Sequence, residues 1–564
     1  MTLEVAAALP AWAEKLRHHY LSGTTIQFLL HNNVRDLVAW RGEYLRLDKF
    51  LYEALLKQTK DVVVYYDISE GLTFAVPQMK EKFLTALNVR HNILGLPPVP
   101  AELPRDARRA LPLLEAFLSI PGQRVAVVID FVEALVPAND PAMLGGDDRT
   151  SLITLERWAN EPHLLASDNI IILIGENVAE INKAIVRSPQ IQPIDLSLPG
   201  ENERLAFLRK TAQQLAARLE APEEAIARLS SGLRLIQLEG VLRQSAKSGE
   251  AVSISMLAAK RKEIIENECF GLVEMIDPDH GLDVVGGMEV VKGQLARVAE
   301  AIKNGVRRHV PMGIFFVGPM GTGKTYVAEA FARDSGLTCL ALKNFRDKWV
   351  GSTEGNLEKI LNIVRALGSV MIIIDEVDRA LGGEDGDSGV SSRVFARIKA
   401  FMSDTSHRGK ILWLVMSNRP DKLDIDLKRP GRFDRKIPFF FPQSAAERQL
   451  IFEAQVRKHR IDREPFPWEQ ACARTDGYSA AEIEALLLLA DEFAAERSRK
   501  MTEEDLLDAI ADFVPNRNRK MIDFMELLAV FECSSRRLLP ERFKAMTDEE
   551  LGSKLSALRA ELRL

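Results

Sequence analysis

A glycine-rich run at residues 318–325 carries the clearest chemical signal in the sequence. It reads Gly-Pro-Met-Gly-Thr-Gly-Lys-Thr, follows an apolar run at 313–317 and precedes a helical pattern. Glycines let successive backbone N–H groups close around phosphate oxygens at a helix amino end, where the helix dipole favours negative charge. Lys324 is then expected to reach the β- and γ-phosphates, and Thr325 to bind magnesium. The run therefore predicts a phosphate-binding loop (P-loop) for ATP with Mg²⁺.

Two acids at the end of a second apolar run complement this loop. The run 370–374 is followed directly by Asp375 and Glu376. In that position Asp375 is expected to hold magnesium through water, while Glu376 orients and polarises the attacking water. An apolar run ending in Asp-Glu is weak evidence alone, but it becomes strong when paired with the P-loop.

A polar amide ends a third apolar run, at residues 411–416. Ser417 and Asn418 follow this run. Asn418 could touch the γ-phosphate or position the water, although an isolated Asn at such a place is more often a turn former. We treat it as a candidate catalytic residue.

Parallel strands are needed to bring these residues together, and the sequence predicts them. Short β-branched apolar runs alternate with amphipathic helical segments, which is typical of an α/β fold with a parallel sheet. Candidate buried strands lie at 62–66, 125–129 and 170–174 in the first half, and at 314–317, 370–374 and 411–416 in the second. The two sets resemble one another, so we interpret the chain as a tandem duplication whose first copy has decayed.

The second half resembles a known family. The P-loop together with DEVD (375–378), SNRPD (417–421) and KRPGRFDRKI (428–437) is similar to the AAA ATPases, in the group that includes protein unfoldases and microtubule-severing enzymes. The resemblance implies a P-loop NTPase (AAA+) α/β domain with a helical lid domain. It also implies that Arg429 and Arg432 are arginine fingers for the nucleotide of an adjacent subunit. The alternative is a surface salt-bridge cluster.

The same resemblance supplies further expected contacts. The segment 282–288 resembles the one that cradles adenine, which implies base contacts at Val285 and Gly286, and 477–482 resembles the start of a lid helix, with Ala480 near the nucleotide. The complete set of expected nucleotide contacts is Val285, Gly286, Pro319, Met320, Gly321, Thr322, Gly323, Lys324, Thr325, Tyr326 and Ala480.

By resemblance, Trp349 and Val350 occupy the first pore loop of the family, where an aromatic ring grips an extended polypeptide. The alternative is a core tryptophan beside a turn. A second pore loop could lie at 382–389, which is otherwise an acidic, glycine-rich loop.

The first half lacks the nucleotide-binding motifs of the second half. Residues 65–73, at the expected P-loop position, contain no Gly-Lys-Thr, and 127–133 imitates the second motif with its glutamate displaced. We expect an ATPase-like fold that does not hydrolyse ATP. The arrangement is similar to an AAA group of chloroplasts and cyanobacteria, notably in the phrases IDFVEALV (129–136) and IDLSLPGENER (194–204). An unrelated amino-terminal adaptor domain is the competing interpretation.

Helical tails and a proline-marked break suggest the domain limits. We expect a degenerate ATPase-like domain at 1–253, a linker at 254–279 and a large AAA+ α/β domain at 280–442. A helical lid at 443–513 and a helical carboxyl-terminal extension at 514–564 follow.

Composition favours an ordinary cytoplasmic protein. The 564 residues include 74 Lys and Arg against 80 Asp and Glu, a net charge of −6, which makes nucleic-acid binding over a broad surface unlikely. The four cysteines form no CxxC pair, so neither a disulfide framework nor a zinc site is indicated. No signal peptide is expected, and the longest apolar runs are too short for a membrane span.

Three classes of function remain open. The leading hypothesis is a homo-oligomeric, hexameric AAA+ ring that uses ATP hydrolysis to remodel or unfold a protein substrate, with an unknown protein adaptor or substrate as partner. The alternative is an ATP-dependent loader, scaffold or nucleotide switch without threading. A DNA or RNA motor is the third, which the acidic balance disfavours.

Overall fold

The chain packs as two compact units. A computed structural model describes residues 9–138, 143–342, 354–378 and 389–564, with the backbone alone for 354–355 and 389–395. One unit comprises Met1–Ile265 with Thr353–Ala366, and the other Glu266–Ser352 with Leu367–Leu564. Each unit has its own sheet and its own apolar core.

In the described part of the first unit, six strands form one sheet in the order β5-β4-β6-β7-β1-β8, in which only the edge strand β5 runs antiparallel. A small hairpin, β2-β3, lies outside this sheet. The strands are β1 Gln27–Asn32, β2 Leu37–Trp40, β3 Glu43–Arg46, β4 Val62–Asp67, β5 Gly71–Phe74, β6 Val125–Ile129, β7 Ile170–Gly175 and β8 Ile191–Leu196.

The second unit repeats this plan. Its described sheet has the order β14-β10-β13-β12-β11-β9, again with one antiparallel edge strand, β9. Strands β10, β12 and β13 are buried along their whole length, which fits the uninterrupted apolar runs of the sequence. The strands are β9 Val273–Ile276, β10 Gly313–Val317, β11 Thr338–Leu342, β12 Val370–Ile374, β13 Ile411–Ser417 and β14 Arg435–Pro438.

The two sheets match strand for strand, which confirms the ATPase-like first half. When the order of the second sheet is read in reverse, as β9-β11-β12-β13-β10-β14, β1 takes the place of β10 and β4 takes the place of β11. Our placement of the lost P-loop at 65–73 is therefore wrong. The counterpart of the P-loop is the segment that follows β1, residues 33–36, and it also lacks the Gly-Lys-Thr triplet.

The error arose because two strands of the first sheet carry weak signals. β1 reads QFLLHN, which is half polar, and β8 reads IQPIDL, with Pro193 in its middle. Pro193 is tolerated because β8 lies at the sheet edge, where one side of the strand needs no hydrogen-bond donor.

Helices connect and cover the strands. In the first unit they are Ala11–Leu21, Leu47–Phe50, Pro77–Ile93, Ala107–Leu118, Val132–Leu135, Gly146–Asn160, Pro162–Leu165, Lys183–Val186, Glu201–Leu215, Glu223–Leu229 and Leu235–Ser248, and a π-helical turn lies at Leu51–Leu56. The helix Glu354–Leu367 belongs to this unit except for its last residue. Ile254–Glu268 runs across the boundary between the units. In the second unit they are Glu289–Lys303, Lys324–Ser335, Gly389–Met402, Ala445–His459, Glu469–Arg474, Ala480–Glu496, Glu503–Asp512, Arg519–Glu532, Glu541–Lys544 and Asp548–Leu562.

Two helical groups follow β14. The helices from Ala445–His459 to Glu503–Asp512, here called the lid, enclose a separate apolar core that includes Phe452, Leu486 and Leu506. The carboxyl-terminal helix Arg519–Glu532 contacts β14 and the last long helix, Asp548–Leu562. Among the described residues, no helix combines the length and apolar character that crossing a bilayer requires.

Candidate active site

The P-loop leaves the carboxyl end of β10 and enters the helix Lys324–Ser335. Gly318 permits a close approach to the neighbouring backbone, because a Cβ there would lie 2.1 Å from the carbonyl oxygen of Phe439. Gly321 and Gly323 have φ angles of +76° and +84°, which favour glycine. The loop conformation therefore depends on the glycines that the sequence supplies.

Lys324 lies beneath this loop and is buried. Its Nζ donates to the carbonyl oxygens of Gly318 (2.9 Å) and Pro319 (2.8 Å) and to Asn418 Oδ1 (2.8 Å). Burial lowers the pKa of the ammonium to about 8, against the opposing effect of the carboxylates of Asp375 and its neighbours. The structure thus brings together the lysine of the P-loop and the amide at the end of β13.

Thr325 and Asp375 meet at the same edge of the sheet. Thr325 Oγ1 donates to Asp375 Oδ2 at 2.9 Å, and the backbone N–H of Glu376 donates to Asp375 Oδ1 at 2.7 Å. A hydroxyl and a carboxylate are oxygen ligands of the kind that Mg²⁺ prefers. Glu376 has a φ of +45°, an uncommon value for this residue type and one often found at functional sites.

A cavity of about 630 Å³ connects these groups. Of the expected nucleotide, metal and catalytic residues, Pro319, Arg429 and Arg432 do not line it. The others do: Val285, Gly286, Met320, Gly321, Thr322, Gly323, Lys324, Thr325, Tyr326, Asp375, Glu376, Asn418 and Ala480. Pro319 does not line the cavity, but its carbonyl oxygen accepts a hydrogen bond from Lys324 Nζ.

The lid closes one end of this cavity, and sequence reasoning missed most of that wall. Ile451, Ala454, Gln455 and Lys458 all line the cavity from the helix Ala445–His459. Their spacing of three and four residues places them on one helix face, which is a readable signal. The spacing could not distinguish a face that covers a ligand from one that covers a core.

Two stacked aromatic rings lie beside the lid, near the expected base contacts. The His280 ring stacks on Tyr326 with centroids 3.9 Å apart, and Lys458 Nζ lies 4.9 Å from the Tyr326 ring centroid. Gly286 lies against the lid, because a Cβ there would be 2.6 Å from the carbonyl oxygen of Leu450. This end offers flat and apolar surface of the kind that suits a nucleobase.

One backbone hydrogen bond joins the lid to the P-loop directly. The N–H of Ala481 donates to the carbonyl oxygen of Gly321 at 3.1 Å. Ala481 lies in the first turn of Ala480–Glu496, which Ser479 and Glu482 cap reciprocally. A change in the P-loop can therefore be transmitted to the lid without an intermediate side chain.

The two candidate arginine fingers lie on the segment before β14. Arg429 is 69% exposed and its Nη2 lies 2.8 Å from Asp426 Oδ1, whereas Arg432 Nε donates to Ser403 Oγ at 2.7 Å. Arg432 Nη1 also donates to the carbonyl oxygen of Asp426. Neither side chain lines the cavity of its own chain, as a residue that serves a neighbouring subunit requires. Trp349, Val350 and all but the last residue of 382–389 lie outside the described residues.

The first unit repeats the backbone geometry of Asp375 and Glu376 without the second acid. The sheet registers align Asp130-Phe131 with Asp375-Glu376, and Phe131 repeats both the positive φ, +51°, and the backbone hydrogen bond to the preceding Asp Oδ1, 2.7 Å. A phenylalanine, not the displaced Glu133, thus takes the place of Glu376 in the first unit.

In the first unit, an arginine lies in the segment that corresponds to the P-loop, residues 33–36. Arg35 pairs with Asp130 through two hydrogen bonds of 2.7 and 2.8 Å, and its guanidinium lies 4.0 Å from the Phe131 ring centroid. The next residue, Asp36, accepts from the backbone N–H groups of Leu235 and Ile236, both at 3.0 Å. Internal pairing therefore occupies the groups of this segment.

Three family models match the chain, and they cover both units. The model described as "AAA+ chaperone, N-terminal Rossmann-like domain" matches residues 4–197, and "AAA+ chaperone, second helical domain" matches 202–270. The model "ATPase family associated with various cellular activities (AAA)" matches 314–441, which includes the P-loop, both acids and both arginines. The chain belongs to the AAA family. Nucleotide binding follows from this membership.

Relatives within the AAA family share the two-part arrangement. The "Uncharacterized AAA domain-containing protein ycf46" of Trieres chinensis is 28% identical over 61% of this chain and 70% of its own length. The human "ATPase family gene 2 protein homolog A" is 25% identical over 70% of this chain, and the "Cell division cycle protein 48 homolog" of Archaeoglobus fulgidus is 24% identical over 68%. The chain spans 48% and 56% of those two proteins.

The lowered pKa of Lys324 predicts a pH-dependent affinity for ATP. Only the charged ammonium attracts phosphate, and bound phosphate raises its pKa, so binding takes up a proton above about pH 8. We expect the apparent Kd to rise between pH 7.5 and 9.5, approaching about tenfold per pH unit. Titration with a fluorescent ATP analogue without divalent cations measures this, and Lys324→Ala should show a flat profile. A flat profile for the unmodified protein would contradict the role of the ammonium.

Proposed function

We propose that this protein is an ATPase whose hydrolysis drives the remodelling or unfolding of a protein substrate by a homo-oligomeric ring. The observation that carries the proposal is the meeting of Lys324 with Asn418, and of Thr325 with Asp375, at one edge of one sheet. Two independent contacts thus join the P-loop to the strands that carry the other motifs. That arrangement suits a triphosphate with its metal.

Each residue has a distinct role in the proposed reaction. Lys324 exchanges at least one of its internal acceptors for β- or γ-phosphate oxygens. Thr325 and Asp375 would hold Mg²⁺, which would supply positive charge beside the transferring phosphoryl group. Glu376 orients and polarises the water, and Asn418 holds the γ-phosphate position. The cavity walls described above hold the base and the phosphates.

We propose that the site is completed in trans, with Arg429 and Arg432 serving the nucleotide of the next subunit in a hexamer. Support comes from their position outside the cavity of their own chain and from the exposure of Arg429. A head-to-tail contact of this kind closes into a ring when the rotation between subunits closes. Assembly would then be a condition for fast hydrolysis.

The substrate is proposed to be a protein that Trp349 and Val350 grip. These residues separate a threading ring from a loader, scaffold or nucleotide switch, because only threading needs an apolar grip at this point. The degenerate ATPase-like domain, for which we keep the limits 1–253, is proposed to bind an adaptor or substrate without hydrolysing ATP. The four cysteines all lie among the described residues and form no disulfide, which supports a reducing, cytoplasmic compartment.

The substitution Glu376→Gln tests hydrolysis. It removes the carboxylate that polarises water but leaves the phosphate contacts, so turnover should fall by roughly 10²- to 10⁴-fold while ATP still binds. We expect one bound ATP per chain, since Arg35 and Asp130 fill the first-unit position. Phosphate release and equilibrium dialysis measure the two quantities. Normal turnover would refute the role of Glu376. Two bound ATP per chain would refute the expectation that the first unit binds no ATP.

Mixing experiments test the site in trans. Arg432→Ala should lower turnover by about 10³-fold, and addition of Lys324→Ala chains should restore part of it, because those chains offer intact arginines to the intact pockets of the first variant. The matched control is a chain with both substitutions, which should restore nothing. Phosphate release at fixed total protein is the readout. Equal behaviour of the two added chains would count against a shared site.

A further inference from the structure

A single buried carboxylate holds both ends of the segment that carries the two arginines. Glu532, the last residue of the helix Arg519–Glu532, accepts from Lys428 Nζ at 2.5 Å through Oε1 and from Lys436 Nζ at 2.8 Å through Oε2. Its side chain is only 6% exposed. We call residues 428–436 the arginine segment, because Arg429 and Arg432 both lie within it.

This bridge restricts the segment at its two ends. Lys428 directly precedes Arg429 and its Nζ also donates to the carbonyl oxygen of Pro420 at 3.1 Å. Lys436 lies in β14, which is fixed by pairing with β10. Tying Lys428 to Lys436 through Glu532 closes the segment into a loop, and loop closure lowers the number of conformations that the arginines can adopt.

Two further residues, Ser534 and Arg559, attach the carboxyl-terminal region to the same part of the chain. Ser534 Oγ accepts from the backbone N–H of Lys436 at 3.0 Å and donates to its carbonyl oxygen at 3.1 Å. Arg559 Nη2, from the helix Asp548–Leu562, lies 3.3 Å from Asp421 Oδ2. The carboxyl-terminal helices thus hold the arginine segment and the turn before it, at a distance from the cavity of the same chain.

We propose that Glu532 is a positioning residue for catalysis in trans: through Lys428 and Lys436 it sets where Arg429 and Arg432 are presented to the neighbouring subunit. This role rests on the proposed shared site. Removing the bridge would leave the chain's own nucleotide pocket intact and impair only what the chain offers to its neighbour. Misplacement of a catalytic group by about 1 Å can cost on the order of 100-fold in rate.

The substitution Glu532→Gln tests this role, because it removes the charge and keeps the size of the side chain. We expect the Kd for ATP and the assembly seen by mass photometry to stay at wild-type values, while turnover falls roughly 10- to 100-fold. Addition of an equal amount of Lys324→Ala chains should return turnover to about half of the wild-type value per Glu532→Gln chain, because half of the neighbours then present intact arginines. Addition of Arg432→Ala chains should return nothing.

Glu526→Gln is the matched control. Glu526 is a buried glutamate on the same helix, but its partners are Arg542 Nη2 and the backbone N–H of Phe441, outside the arginine segment. This variant should keep wild-type turnover. Lys428→Gln removes one of the two lysine partners of Glu532 and leaves Glu532 paired with Lys436. It is therefore the variant to test if Glu532→Gln does not fold. It should show the same loss and the same rescue.

The outcomes separate this role from the shared site itself. Wild-type turnover of assembled Glu532→Gln overturns the role of Glu532 and leaves the shared site standing. The same conclusion holds if Lys324→Ala chains rescue Arg432→Ala but fail to rescue Glu532→Gln. If Arg432→Ala is not rescued either, both proposals fail. An equal loss of turnover in Glu526→Gln would show that turnover depends on every buried carboxylate of this helix and not on the bridge to the arginine segment. This outcome also overturns the positioning role.

Discussion

A buried ammonium must be surrounded by hydrogen-bond acceptors, since an unpaired charge inside a protein is costly. Lys324 meets this requirement with two carbonyl oxygens of the P-loop and the amide oxygen of Asn418. The path of the loop, the adjacency of β10 and β13 and the orientation of Asn418 are linked through this one group. A triphosphate would compete for the same ammonium, so its arrival or departure acts on all three.

The second unit extends this link outward to the lid and to the arginine segment. Ala481 bonds to the P-loop backbone at Gly321, and the lid helix with Lys458 lines the same cavity. On the other side, β14 pairs with β10, and Glu532 ties the arginine segment to the carboxyl-terminal helix. Strand β10 therefore lies between the nucleotide pocket of a chain and the arginines that we propose the chain offers to its neighbour.

The first unit keeps the fold and loses the charge arrangement. Asp130 and Phe131 repeat the backbone geometry of Asp375 and Glu376, but Arg35 now neutralises the aspartate from within the chain. A guanidinium paired through two hydrogen bonds has little to offer to phosphate. The first unit therefore repeats the backbone shape of this position without its charge arrangement.

Residues with strong local signals could be predicted from the sequence, and those that depend on tertiary pairing could not. The P-loop, Asp375 and Asn418 follow buried apolar strands, so their meeting at one sheet edge was predictable. β1 was missed because QFLLHN is too polar to indicate a central strand, and this displaced the first-unit P-loop counterpart. Glu532 was missed because nothing within its helix indicates that Lys428 and Lys436, far away in sequence, will pair with it.

The dependence of ATP hydrolysis on assembly tests the central claim most directly. Turnover per chain is measured over a wide range of protein concentration, with the assembly state followed by mass photometry on the same samples. If the site is shared, turnover per chain is negligible for the monomer and rises as rings form. Constant turnover down to concentrations at which the chain is monomeric would contradict the shared site and would favour a nucleotide switch.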